Sequence, residues 1–174
     1  INMLGFVSPS HCVYQMKAII SALQEKRDKP IIVYNTNSYD TVETLKTLEG
    51  IVDIYLPDFK YIDADLAKKY SKVADYFQIA SKAIAEMVRQ TGTAEFDDRG
   101  MMLRGVIVRH LILPGNVSDS KDIIQYLYHA YGDKVYLSIM NQFTPLPTLE
   151  TYPELCRKVT KEEYDEVVDY AISL

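Results

Sequence analysis

Two cysteines in 174 residues, Cys12 and Cys156, are too few for a disulfide framework and do not have the spacing of a metal knuckle. Each is read as a plain small side chain. The seven glycines are dispersed and none follows a strand-like run as GxGxxG or GxxxxGK, which argues against a dinucleotide-binding or P-loop enzyme. A basic excess is missing too: the net charge is -5 and the 19 Lys and Arg are scattered, so no nucleic-acid partner is expected. No apolar stretch approaches the roughly 18 residues of a membrane-spanning helix, and nothing at the start reads as a signal peptide, so the expectation is a cytoplasmic chain without a membrane partner. Internal repeats, low-complexity tracts and linkers are absent, as expected of a single domain over 1–174.

What remains is ordinary globular composition, 48% hydrophobic and 25% charged, enough to bury a sizeable core. Apolar runs of strand length stand at about 3–7, 30–34, 51–57, 105–113 and 134–140, with helix-period stretches between them. The first helix, about 12–26, carries Val13, Met16, Ile19, Ile20 and Leu23 on one stripe. A second is expected from Asp40, with Glu43 as capping-box partner, to Gly50. Further helices are expected near 63–70, 73–90, 118–131 (starting at Ser118 or Asp119) and 161–172, the last boxed by Thr160 and Glu163, with a hairpin at 94–104 and a loop at Pro145 and Pro147. Strand alternating with helix implies right-handed βαβ units and a parallel sheet, doubly wound or closed into a barrel. The chain opens at Ile1 directly into its first strand-like run, as a piece of a longer protein would.

In α/β sheets, ligands bind beyond the carboxyl ends of the strands. The residues there are Ser8, Pro9, Ser10 and His11; Asn35, Thr36, Asn37, Ser38 and Tyr39; Asp58, Lys60 and Tyr61; Arg109; and Asn141, Gln142 and Phe143. They make a rim of hydroxyls, amides, a carboxylate and two cations, suited to a polar, zwitterionic small molecule. Bland readings stand beside it: Ser8 and Ser10 as helix caps, Asn35 to Tyr39 as a polar loop, Asp58 and Lys60 as a surface ion pair. Arg109, inside an apolar strand, needs a carboxylate or a wet cavity. His110, on the opposite face, is expected to pack, and His129 to lie on the surface.

Five stretches, Val7-Ser8-Pro9-Ser10-His11, Ile31 to Asp40, Ile51 to Tyr61, Arg109 to Gly115 and Met140-Asn141-Gln142-Phe143, occur in the order found in radical S-adenosylmethionine proteins, and the chain resembles those similar to pyruvate formate-lyase activating enzyme. The resemblance implies an α/β partial (β/α)6 barrel, of which the chain holds strands two to six with an inserted helix and hairpin. It implies that Ser8, Pro9 and Ser10 meet the methionyl amino group of S-adenosylmethionine and that Asn35, Thr36, Asn37 and Ser38 lie near its ribose. Asp58, Lys60, Arg109 and Gln142 complete the cofactor contacts. The family's CxxxCxxC, which holds a [4Fe-4S] cluster, does not occur here. The chain alone is therefore expected to be inactive, with no catalytic residue and no metal ligand of its own. The parent is expected to draw on an electron donor, release a 5'-deoxyadenosyl radical and activate a partner such as a glycyl-radical enzyme. Asn37-Ser38 departs from the Asn-Gly usual in activating enzymes.

Two other classes stay open. One is a barrel lyase forming a Schiff base at Lys60, which borohydride trapping would detect; the other is a non-catalytic binding domain. The first strand, lacking a neighbour on one side, is expected to self-associate.

Overall fold

The computed structural model describes residues 3–24, 29–145 and 151–174. In chain order the elements are β1 (Met3–Val7), a 3-10 turn (Pro9–His11), α1 (Val13–Gln24), β2 (Ile31–Thr36), α2 (Val42–Lys46), β3 (Ile54–Pro57), α3 (Ala64–Ser71) and α4 (Tyr76–Thr91). There follow β4 (Glu95–Phe96), β5 (Met102–Leu111), α5 (Val117–Tyr131), β6 (Tyr136–Met140) and α6 (Lys161–Ile172). The fold is α/β, with six strands in one mostly parallel sheet that does not close among the described residues. Its order is β1-β2-β3-β5-β4, with β6 also pairing β5, and among the described residues β1 pairs with β2 alone. β1, β2, β3 and β5 run parallel, while β4 and β5 form the expected antiparallel hairpin.

Packing gathers into two compact units. The first comprises Ile1–Asp58, Gln78–Val108 and Asp133–Tyr136; the second Phe59–Phe77, Arg109–Gly132 and Leu137–Leu174. In the first, β2 is buried on both faces, as a central parallel strand should be. Val33 joins Ile54 and Met102, with Ile31, Leu56, Ala94 and Ile107 against them. On the opposite face Tyr34 meets Tyr55 edge-on at 5.8 Å, both fully buried, and the Tyr55 hydroxyl donates to Gln90 Oε1 at 2.6 Å. Gly105 is required where it stands: its φ is +145°, and a Cβ there would lie 3.0 Å from Ala94 Cβ. The second unit has its own core, Ile112, Ile124 and Val167 with Leu137, Ile139 and Tyr164, and an aromatic cluster in which Phe59 stacks on Tyr126 at 5.7 Å.

Several expected boundaries move for physical reasons. The strand expected at 51–57 begins only at Ile54, because Gly50 turns the chain at φ +73°, Ile51 ends that turn and the chain bends again at Asp53. Ile19, placed on the buried stripe of α1, is 51% exposed, while Met16 and Ile20 are buried. α2 is not boxed by Asp40 and Glu43: Thr41 caps it, accepting from the Thr44 amide, and Asp40 is drawn into a buried network instead. α5 starts at Val117 without a side-chain cap, because the Asp119 carboxylate accepts from the Ile62 and Asp63 amides. α6 matches expectation, with Thr160 and Glu163 forming a complete capping box. Pro147 lies outside the described residues. Replacing Thr160 with Ala should cost roughly 1 kcal/mol, read as a lower urea midpoint with an unchanged slope; an unchanged midpoint would remove the box as a source of stability.

Candidate functional site

Parallel pairing decides which loops meet. Val7 pairs with Asn35 and Asn35 with Leu56, so β1, β2 and β3 reach their carboxyl ends side by side. The ladder continues past the strands: the Ser8 amide donates to the Asn35 carbonyl and the Asp58 amide to the Thr36 carbonyl, each at 2.8 Å. The first unit thereby brings Ser8, Pro9, Ser10, Asn35, Thr36, Asn37 and Asp58 to one edge. Asn35 shares a sheet face with Val33, and Asp58 with Leu56, by the two-residue period of extended chain.

Behind that edge lies a buried polar network. Asp40, 3% exposed, accepts from Thr36 Oγ1 at 2.5 Å and from the Tyr34 hydroxyl at 3.2 Å. Thr36 Oγ1 in turn accepts the Ser38 amide at 3.2 Å and lies 3.4 Å from Ser10 Oγ, which is also 3.5 Å from the Tyr34 hydroxyl. Burial pushes the Tyr34 hydroxyl well above the usual tyrosine range, offset in part by Ser10 and reinforced by the negative charge of Asp40, so Tyr34 remains a proton donor. Asn37 Oδ1 accepts the Tyr39 amide at 2.9 Å, closing a turn that holds the loop after β2.

Two residues of this edge carry strain. Ser8 has φ +50° and Ser38 φ +66°, in the left-handed region that favours glycine, and Lys72 is the one other non-glycine residue with positive φ among the described residues. Ser8 also makes no side-chain cap bond, so a capping role is not what holds it. Ser38 is fully buried, and its Oγ is the one buried side-chain polar atom without a hydrogen-bond partner among the described residues. The Asn-Ser that departs from Asn-Gly therefore places a side chain at a position whose backbone suits glycine.

Lys60, Arg109 and Gln142 belong to the second unit. The Lys60 amide donates to the Tyr76 hydroxyl at 3.1 Å, and Lys60 borders a small recess with Leu66, His110, Asn116 and Asp119. Arg109 is half-buried and its carbonyl accepts the Phe59 amide; Gln142 is exposed. His110, as expected, packs: it is 2% exposed, Nδ1–H donates to the Phe59 carbonyl and Nε2 meets Ser120 Oγ, each at 2.8 Å. Burial lowers its pKa below the ordinary 6.5 against the opposing pull of the Phe59 carbonyl, and burial raises that of Asp119. Cys12 and Cys156 fall in different units, and no group of three His, Cys, Asp or Glu that could hold a metal occurs among the described residues. His129 is exposed. Two clefts of the first unit, about 420 Å³ beside Tyr14 and Lys17 and about 370 Å³ beside Lys29, Pro30 and Asp53, involve residues of α1 and of the amino side of β2 and β3 rather than the loop edge. No helix among the described residues is long and apolar enough to cross a membrane.

Sequence reasoning missed Tyr34 and Asp40. Tyr34 and Thr36, two apart on one strand face, with a carboxylate four residues on, were the available signal.

No family model matches the chain. It is similar to the uncharacterized protein MJ0674 of Methanocaldococcus jannaschii, 30% identical over 145 residues, which is 83% of this chain and 39% of that protein. The chain thus spans well under half the length of this curated relative.

Ser38→Gly should stabilise the protein by roughly 1–2 kcal/mol, since it relieves left-handed strain and an unpaired buried hydroxyl while adding some unfolded-state entropy. A urea midpoint that falls instead would mean that Ser38 makes a compensating contact. His110 makes stability depend on pH in a defined direction. Its folded pKa lies below its unfolded value, so the unfolded chain binds the proton first as pH falls. The stabilisation is complete above about pH 6.5 and is lost as pH drops toward the folded value. His110→Asn, which can still donate to the Phe59 carbonyl, should flatten the fall in Tm between about pH 7 and 5; an unaltered slope would place that pH dependence elsewhere.

Proposed function

We propose that the loop edge of the first unit is a cradle for S-adenosylmethionine, and that the chain is part of a radical S-adenosylmethionine protein similar to pyruvate formate-lyase activating enzyme. On this reading the open sheet is a portion of a (β/α)6 barrel, with β1, β2, β3, β5 and β6 as its strands two to six. The observation that carries it is the in-register ending of β1, β2 and β3, which places Ser8, Ser10, Asn35, Asn37 and Asp58 on one edge, two of its loops strained at Ser8 and Ser38.

The residues present suit the cofactor. Its ammonium needs acceptors, which the hydroxyls of Ser8 and Ser10 and the carboxylate of Asp58 supply; its ribose diol needs groups that both donate and accept, which Asn35 and Asn37 provide. When bound, S-adenosylmethionine supplies a sulfonium whose one-electron chemistry yields a carbon-centred radical. The chain's own share is to bind and orient: Asp58 neutralises the ammonium, and the loops after β1 and β2 fix the direction of the ribose.

The [4Fe-4S] cluster does not fit these residues, because two cysteines in separate units cannot supply three clustered thiolates. Its ligands would come from elsewhere in the whole protein. For that whole protein we propose a cytoplasmic enzyme that takes electrons from a donor and activates a glycyl-radical enzyme or related target, and for β1, which among the described residues pairs with β2 alone, contact with a further strand or a second copy.

Isothermal titration of the chain with S-adenosylmethionine should give saturable binding, weakened roughly tenfold or more in Asp58→Asn, the loss of one charge-assisted hydrogen bond. Absence of binding to the wild-type chain would overturn the cradle.

A further inference from the structure

We propose that Asp40 is a positioning residue that sets the two βα loops of the cradle from behind. Asp40 is buried, lies outside the edge itself, and ends a chain of hydroxyls whose protons can be counted. The Tyr34 and Thr36 hydroxyls have one proton each. A carboxylate can only accept, so both protons point at Asp40. That leaves the Thr36 oxygen as an acceptor with a donor on a loop. Thr36 Oγ1 takes the Ser38 amide, and the Ser10 hydroxyl lies within reach of the Thr36 and Tyr34 oxygens, at 3.4 and 3.5 Å.

One charge therefore turns the Thr36 hydroxyl inward and leaves its oxygen to the Ser38 amide. Ser10 belongs to the 3-10 turn after β1 and Ser38 to the loop after β2, and in each loop a serine backbone is held at positive φ. Strained backbone persists only where its surroundings over-determine it. In the loop after β2, the hydrogen bond from the Ser38 amide to Thr36 is part of that restraint. An amide side chain at position 40 would offer one acceptor and one donor group, so one hydroxyl would have to turn its proton away from Asp40 and toward a loop. The loops would then lose the single arrangement that places Ser8 and Asn37. The ligand consequence rests on the cradle reading; the loop consequence does not.

The test uses Asp40→Asn, Thr36→Val and the double variant of the full chain, read by amide hydrogen exchange and by titration with S-adenosylmethionine. Asp40→Asn should speed exchange of the Ser38 amide at least tenfold relative to amides of α6, and weaken S-adenosylmethionine binding at least tenfold. Because Asp40 acts on the loop after β2 through Thr36, the double variant should add little to Thr36→Val in Ser38 exchange. A lower Tm with Ser38 exchange unchanged, or fully additive effects, would overturn the positioning role even if the wild type binds the cofactor. Should the wild type fail to bind S-adenosylmethionine, the cradle reading falls, and the exchange of Ser38 still decides whether Asp40 positions the loop. A variant that does not fold is replaced by Thr36→Ser, which keeps the hydroxyl and should retain slow Ser38 exchange.

Discussion

The in-register parallel pairing of β1, β2 and β3 is the constraint on which the candidate site depends. A slip of one residue in any of the three would turn its side chains to the opposite face, taking Val33 out of its core with Ile54 and Met102 and Asn35 off the face it shares with that core. Burial of β2 on both faces makes such a slip expensive. Register is locked further at the start of β2 and β3: Asp53 accepts the Ile32 amide through its side chain, while its own amide donates to the Ile32 carbonyl. Sheet packing thereby fixes where three loops end before any of them contributes a polar group.

On that frame the loops hold groups in arrangements that cost stability. Two serines at positive φ, a buried hydroxyl without a partner among the described residues and a buried carboxylate would each be disfavoured in a chain shaped by folding alone. Asp40 offsets part of this by accepting two hydroxyls at once. Their concentration at the carboxyl ends of neighbouring parallel strands, where α/β sheets bind their ligands, favours a binding site over incidental strain.

Much of the fold could be read from the sequence because its signals are local. Strand and helix periods predicted the alternation and the parallel sheet, Asp97 to Gly100 predicted the hairpin turn, and Thr160 with Glu163 predicted the start of α6. Asp40 with Glu43 has the same local appearance and fails as a cap, because Tyr34 and Thr36 offer the carboxylate buried donors that only the strand's side-chain direction reveals. Asp119 fails in the same way, captured by amides 57 and 56 positions away. The rim residues are legible because each stands directly after an apolar run. The network behind them is not, since Ser10 and Thr36 meet only after β1 and β2 pair.

The most direct test of the cradle is a two-dimensional amide NMR titration of the chain with S-adenosylmethionine. Saturable shifts concentrated at residues 8–10, 35–38 and 58, with α6 unaffected, are what a site at the ends of β1, β2 and β3 predicts. Shifts that do not saturate, or that gather instead around Lys29, Pro30 and Asp53, would contradict it.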